Sequence, residues 1–246
     1  GLTTLDGFNN LETVSGNLYI GCQNVNGQGV HLSSISGFNK LTSIGGFLGL
    51  IHAAGGDQNG PLTSITGFSN LKTIGRYLDI GGRNLTNVSG FSKLETIGEG
   101  FKVYATGLTG LGDFGKLRSI AMRGGQFELN SNDKMTSLKG LASLTEISQW
   151  YITSNNALLD LKGFEKIKSM SGGIQLFSCP LLTNLDNLSN LEQVSSVSIA
   201  FNSELISFCG LNKLIKGNGI TSGFYAVNSN KYNPTIDDIK KGKCSK

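Results

Sequence analysis

Asp79, Lys102 and Glu128 hold equivalent places in three successive stretches of a repeating chain. If those stretches stack as neighbouring strands, two carboxylates flank one ammonium on a single surface. Clustered carboxylates with a basic residue are what a polysaccharide lyase or hydrolase uses on the face of a parallel β-helix. The same three charges also describe an ordinary cross-strand ladder. Other chemistry is sparse. Both histidines, His31 and His52, fall with Asp57 in two glycine-rich stretches, GCQNVNGQGVH (21–31) and IHAAGGDQNGP (51–61). A metal site there would need three or four converging ligands, so neither a metal nor a cofactor is expected. No phosphate-cradling glycine loop, Ser-His-Asp set or Cys-His pairing stands out, and the chain reads as a non-enzyme.

Aromatic residues accompany the charges. Tyr19, Phe47, Tyr77, Tyr104, Tyr151, Phe177 and Tyr225 occupy outward slots of the same strands, with Asn130 and Gln175 between them. Exposed rings beside amides and acids suit a protein or carbohydrate ligand, because rings offer flat apolar area at low entropic cost. Ring stacking that only stabilises the sheet is the plainer alternative. The two glycine-rich stretches close the same kind of turn on adjacent repeats. They are expected to pack side by side as one loop cluster, and insertions on one side of a solenoid often mark its binding side.

These residues are placed by a repeat. A frame reading L-T-S-I-x-G-F-x-K-L-x-x-I, followed by an apolar-x-apolar pair, starts at Leu2, Leu32, Leu62, Leu85, Leu108, Met135, Leu158, Leu182 and Leu205. A period of about 23 residues predicts a solenoid, in which each unit buries its apolar slots only against its neighbours. The whole chain, 1–246, is read as one mainly β domain of nine coils, with a C-terminal cap over 228–246. The sixth slot holds only Gly, Asp or Asn: Gly7, Gly37, Gly67, Gly90, Asp113, Gly140, Gly163, Asn187 and Gly210. Those residues tolerate positive φ best, so a left-handed corner is expected there. The seventh slot, with Phe8, Phe38, Phe68, Phe91, Phe114 and Phe164, predicts a stacked aromatic spine. The apolar-x-apolar pairs, from Leu18/Ile20 to Phe224/Ala226, predict the inward residues of a parallel sheet. In the tail, NPTIDDIKKG (233–242) predicts a short helix with Pro234 at its first position and Gly242 as its stop.

Composition narrows the classes. A net charge of +4 without a concentrated basic face argues against nucleic acid. No run of about 18 apolar residues is present, so no membrane span is expected. The chain begins without Met and almost on a repeat, so a leader, a cap or a lipid anchor is expected upstream. Of the four cysteines, Cys22 and Cys179 would stand six coils apart, roughly 29 Å at 4.8 Å per strand, beyond disulfide reach. Cys209 and Cys244 would bridge the last coil to the tail, although four buried free thiols remain the alternative.

The full pattern, L-x-x-I-x-G-F-x-x-L-x-x-I-x-x-x-L-x-I-x-x-N, resembles the receptor L domain, the ligand-binding leucine-rich module of insulin-receptor and epidermal-growth-factor-receptor ectodomains. Segments such as LTSITGFSNLKTIGRYLDIGGRN (62–84) are similar to L-domain-like leucine-rich proteins on the surfaces of gut Bacteroidetes. The resemblance implies a right-handed β-helix-like solenoid, an extracellular or cell-surface location and a recognition role, with no shared catalytic residues. It departs from the receptors in its nine continuous coils, its few cysteines and the absence of a cysteine-rich region. The expectation is a monomeric, secreted or surface-tethered binding module.

Overall fold

The structure, a computed structural model, describes residues 5–22, 32–52, 61–120 and 125–246, with the side chains of Cys22, Ile51 and His52 excluded. The chain forms a parallel β-solenoid. Nine strands of the main sheet follow one another in chain order: β1 (Leu18–Cys22), β2 (Leu48–His52), β3 (Tyr77–Gly81), β4 (Gly100–Tyr104), β5 (Gln126–Asn130), β6 (Gln149–Thr153), β7 (Ile174–Phe177), β8 (Val194–Ala200) and β9 (Ile220–Asn228). Every neighbouring pair is parallel. Two-residue strands such as Ser43–Ile44 and Thr73–Ile74 build a second sheet of six, and Ser34–Ile35, Ser64–Ile65 and Asn87–Val88 a third of three. Ser/Thr-Ile pairs suit these short ladders, since the β-branched Ile packs inward while the hydroxyl residue faces solvent.

The interior is one continuous apolar cluster from Leu5 to Cys244. Its columns are the repeat slots: Leu41, Leu71, Leu94, Leu117 and Leu144 form one aliphatic ladder, and Ile44, Ile74, Ile97, Ile120 and Ile147 another. The phenylalanine spine runs as the sequence indicates through its first five rings. Phe8, Phe38, Phe68, Phe91 and Phe114 stack at 5.1–5.5 Å with ring planes within 15°. Phe8, in the first coil, is itself 49% exposed. Leu141 interrupts the column, and Phe127, Trp150 and Phe164 continue ring contact by a different route.

The sixth-slot corner is not left-handed. Of that column only Gly163, at φ +118°, has a positive φ. Glycine is needed there because the coils approach too closely for a side chain. A Cβ on Gly37 would fall 1.8 Å from the Leu5 carbonyl oxygen, and one on Gly210 1.7 Å from that of Leu185. Asp113 and Asn187 fit the same slot by turning back. Asp113 Oδ2 accepts the Phe91 N–H at 2.7 Å, and Asn187 Oδ1 the Leu161 N–H at 3.2 Å.

The left-handed corner lies elsewhere, directly after the main-sheet strands. Ala105, Ser131, Ser154, Ser178, Phe201 and Ser229 all have φ between 48° and 62°, a conformation that costs a non-glycine residue about 1 kcal/mol. The residue that follows is each time buried: Thr106, Asn132, Asn155, Cys179, Asn202 and Asn230. These form a polar ladder inside the rod. Asn132 Oδ1 accepts the Thr106 N–H, Asn155 Oδ1 that of Asn132, Asn202 Oδ1 that of Cys179, and Asn230 Oδ1 that of Asn202. Their Nδ2 groups donate to strand carbonyls of the preceding coil, such as Val103, Leu129 and Ile199. Each asparagine thus satisfies buried backbone on two coils, which offsets the strained corner.

The last coil departs from the expected register. Phe224 and Ala226 face outward, and Tyr225 and Val227 pack inward opposite Val197 and Ile199. The pairing slips between Val194 and Ser196, where β9 carries Gly223 at φ +71°. Val194 pairs with Ile220 but Ser196 with Phe224, so β9 carries two more residues than β8 across the bulge, and its inward set falls one residue later than expected, which exchanges the two faces. Tyr225 therefore leaves the outward aromatic set, its hydroxyl donating to the Pro234 carbonyl at 2.9 Å.

Two short helices close this end. α1 (Asn212–Lys216), absent from the sequence reading, buries Leu214 and Ile215. α2 (Ile236–Lys240) starts two residues later than expected. Thr235 is its N-cap in a reciprocal capping box with Asp238, so Pro234 precedes the cap rather than opening the helix. Gly242 terminates it at φ +83°. Cys209 and Cys244 are joined by a disulfide, and Cys179 is a buried free thiol. The tail is also tied by the Phe208 N–H to the Cys244 carbonyl and the Lys246 N–H to that of Ile206. Because these bonds persist, Cys244→Ser is expected to cost about 2 kcal/mol, the low end for a native disulfide. A lower melting temperature and faster proteolysis after residue 230 would register it. An unchanged melting temperature would show that the bridge is dispensable.

Candidate binding face on the long sheet

Alternation sends every second main-sheet residue to solvent, and the strand register decides which meet. Lys102 lies directly between Asp79 and Glu128. Lys102 Nζ is 3.5 Å from Glu128 Oε2 and 5.8 Å from the Tyr77 ring centre. Gln126 Nε2 donates to Glu128 Oε2 at 3.2 Å. The charged row is real, and Glu128 rather than Asp79 is the partner that Lys102 touches.

Asp79 is the anomaly. Its Oδ1 is buried and has no hydrogen-bond donor among the described residues. Burial pushes its carboxyl up from the ordinary value, Lys102 pulls it down, and Glu128 pushes it up again. A carboxyl raised by folding holds its proton more tightly in the folded state. Its contribution to stability is full below the unfolded value and is lost as pH rises through the folded one. Asp79→Asn is therefore expected to stabilise the protein by about 1 kcal/mol near pH 7, after allowance for partial exposure. The gain should shrink near pH 4. Melting curves at the two pH values check this; a loss of stability near pH 7 would mean that attraction to Lys102 outweighs desolvation.

The rings follow a rule that periodicity alone did not reveal. Tyr19 is the register partner of Gly49, Tyr77 of Gly100, and Tyr104 of Gly81. A Cβ on those glycines would fall 2.6, 2.9 and 2.7 Å from the respective ring atoms. Tyr77 and Tyr104 therefore lie across the neighbouring strand on bare glycine backbone, whereas Tyr19 sets a ring edge against Gly49 and lays its hydroxyl end over Gly21 of its own strand. Aligning the repeats side by side carries this signal, since each outward Tyr of the first four strands faces Gly. Phe47 meets Tyr19 edge-on at 6.4 Å. Tyr151 and Phe177 form a separate pair at 6.1 Å, beyond the amides of Gln126 and Gln149. The seven aromatics thus become a group of four over β1–β4, a pair over β6–β7, and Tyr225 turned inward.

Burial, then the charges of Asp79 and Tyr19, push the Tyr104 hydroxyl well above its ordinary value, so it stays protonated and able to donate. Tyr104 leans over Gly81 of β3, close enough to Asp79 for that charge to act on its hydroxyl, while Asp79 Oδ1 is itself shielded from solvent. His31 and Asp57 lie outside the described residues, as do 23–31 and 53–60 of the two glycine-rich stretches. Of His52 only the backbone is described, paired with Cys22 at the end of β2. Among the described residues, no three His, Cys, Asp or Glu side chains converge on a metal position. No helix among them is long and apolar enough to cross a membrane. Elsewhere on the surface, Arg118 pairs with Glu95, and Lys213 with Glu192 at 2.7 Å. These are exposed ladders, screened by solvent, that contribute little to stability.

Set against protein-family models, curated proteins and solved structures, the chain matches none of them.

Proposed function

We propose that the protein is a non-catalytic recognition module of the L-domain-like leucine-rich type, extracellular or displayed at a cell surface. It binds a protein or a glycan through the outward face of its nine-stranded sheet. The observation that carries this reading is the group of tyrosines lying on glycine around Asp79. Flat ring area on an open sheet face offers a ligand apolar contact at low entropic cost. A disulfide between Cys209 and Cys244 fits an oxidising compartment.

A second reading, polysaccharide processing, rests on the row Asp79, Lys102, Glu128. Lys102 is held by Glu128 and the Tyr77 ring, as in a structural ladder, which favours binding over turnover. A glycan array and a library of purified extracellular proteins separate the readings. A ligand whose affinity falls at least tenfold in Tyr104→Ala, about 1.4 kcal/mol, supports recognition by this face. Turnover of a polysaccharide that Lys102→Ala abolishes would overturn the non-enzyme reading. A complete lack of ligands would leave the rod a spacer.

A further inference from the structure

The C-terminal end of the rod carries a second surface, independent of the tyrosine face. β9 is the last strand of the main sheet and has one neighbour, β8. Backbone groups in a parallel ladder turn alternately to one side and the other. The Ile199 carbonyl accepts from Asn230 of the following coil, and the Ala200 carbonyl from Ser178 of the preceding one. Val197 pairs with Tyr225 and Ile199 with Val227. Phe224 and Ala226 therefore turn their N–H and C=O groups to β8. Tyr225 and Val227 turn theirs to the open side, where no described backbone group meets them.

A groove of about 570 Å³ lies beside that edge, lined by Gly223, Tyr225 and Val227 of β9 and by Pro234, Ile236 and Asp237 of the tail. The side chains of Tyr225 and Val227 are only half-buried. Their counterparts in the same columns, from Phe101 and Val103 to Val197 and Ile199, are fully buried. The difference is that no further strand stacks on β9.

These features select an occupant. Free donors and acceptors at strand spacing are matched by an extended backbone, as in β-strand addition, and not by a helix, which spends its backbone groups internally. Half-buried apolar residues at alternate positions call for the same alternation in the added strand. Asp237 is the charged residue of the groove lining, which disfavours an acidic segment. The bulge at Gly223, with φ +71°, turns the edge away from rigid edge-to-edge pairing with a second rod. A flexible peptide can follow it.

We propose that the open edge of β9 takes up an extended, non-acidic peptide segment of a partner protein as an added strand, with alternate apolar residues stacked on Tyr225 and Val227.

The test screens the full 246-residue chain against displayed peptides as long as β9, nine residues, with apolar residues at alternate positions. Libraries with helical apolar spacing and with acidic residues are the comparison arms. The strongest binder is synthesised and titrated. Methylating its backbone nitrogens one at a time leaves the protein untouched. Alternate positions are expected to weaken binding roughly tenfold or more, and the positions between them to have little effect. Hydrogen exchange of the Tyr225 and Val227 amides is expected to slow on binding. Val227→Pro removes a donor from the open side and none from the β8 ladder, and should weaken binding to a similar degree. Lys166→Ala, exposed elsewhere on the rod, should leave it unchanged. If Val227→Pro does not fold, the methylation series and the exchange rates still decide. Four results overturn the proposal: no binder from the alternating library, a preference for either comparison arm, methylation effects without alternation, or unchanged exchange at both amides. Dimers of the free chain that Val227→Pro dissociates would give the edge to a second copy and overturn it as well. None of these outcomes bears on the tyrosine face.

Discussion

Asn202→Ala is expected to destabilise the protein by about 4 kcal/mol, among the largest effects that any single polar replacement can produce. Asn202 is fully buried. Its Oδ1 accepts the Cys179 N–H at 2.9 Å, and its Nδ2 donates to the Ala200 carbonyl at 3.0 Å and to Asn230 Oδ1 at 2.9 Å. Alanine leaves those groups dry and unpaired, each at about 1–3 kcal/mol, and opens a small cavity beneath a strained corner at Phe201. Asn156→Ala provides the comparison. Asn156 is exposed and bonds only Asp133 among the described side chains, so its loss should cost about 0.5 kcal/mol. Chemical denaturation of the two variants checks the contrast, and hydrogen exchange at β7–β9 locates it. Equal costs would mean that the ladder is ornamental. The ladder also has a gap. Cys179 occupies an asparagine position, its thiol pushed up to about 11 by burial and facing the N–H of Asn155. A single sulfur is a weaker acceptor than an amide oxygen, so Cys179→Asn should be tolerated far better than Asn202→Ala.

The asparagine column shows where the sequence could be read and where it could not. Asn closes each repeat of the consensus, so its recurrence was visible. Its burial was not, because the donors it satisfies belong to the preceding coil and become neighbours only when the coils stack. The aliphatic slots needed no such knowledge, since an apolar residue at a fixed period has one place to go. The end of β9 was misread for a local reason: one bulge near Gly223 reverses the inward and outward sets, and alternation alone does not announce it. On the proposed face, the outward tyrosines were found from spacing. That Tyr19, Tyr77 and Tyr104 meet glycine, while Tyr151 stands between Glu128 and Gln175, required the register between strands. Asp79 was singled out for its charge, but its missing donor is a property of packing. His31, His52 and Asp57 marked loops whose side chains fall outside the described residues, and the face over β1–β4 now carries the functional argument without them.

The sixth-slot glycines give the sharpest separation between two physical readings of one residue. Gly140→Val is expected to cost upwards of about 4 kcal/mol. A Cβ at Gly140 would lie 1.5 Å from the Leu111 carbonyl oxygen and 2.2 Å from its carbon. Those atoms are backbone of the preceding coil, so no rotamer change relieves the overlap. The two coils would have to part, breaking the close packing of Leu111, Leu138 and Leu141. Gly7 holds the same slot in the first coil, where no described atom lies within 4 Å of its would-be Cβ. If glycine served a left-handed backbone, Gly7→Ala and Gly140→Ala would both be costly, and by similar amounts. If it serves close approach, Gly7→Ala should be neutral or slightly stabilising while Gly140→Ala costs about 3 kcal/mol. Denaturation midpoints of the three variants decide between the readings. Equal losses at positions 7 and 140 would return the corner to a conformational cause. A loss confined to 140 means that contact between successive coils, rather than the turn within one, is what glycine makes possible in this rod.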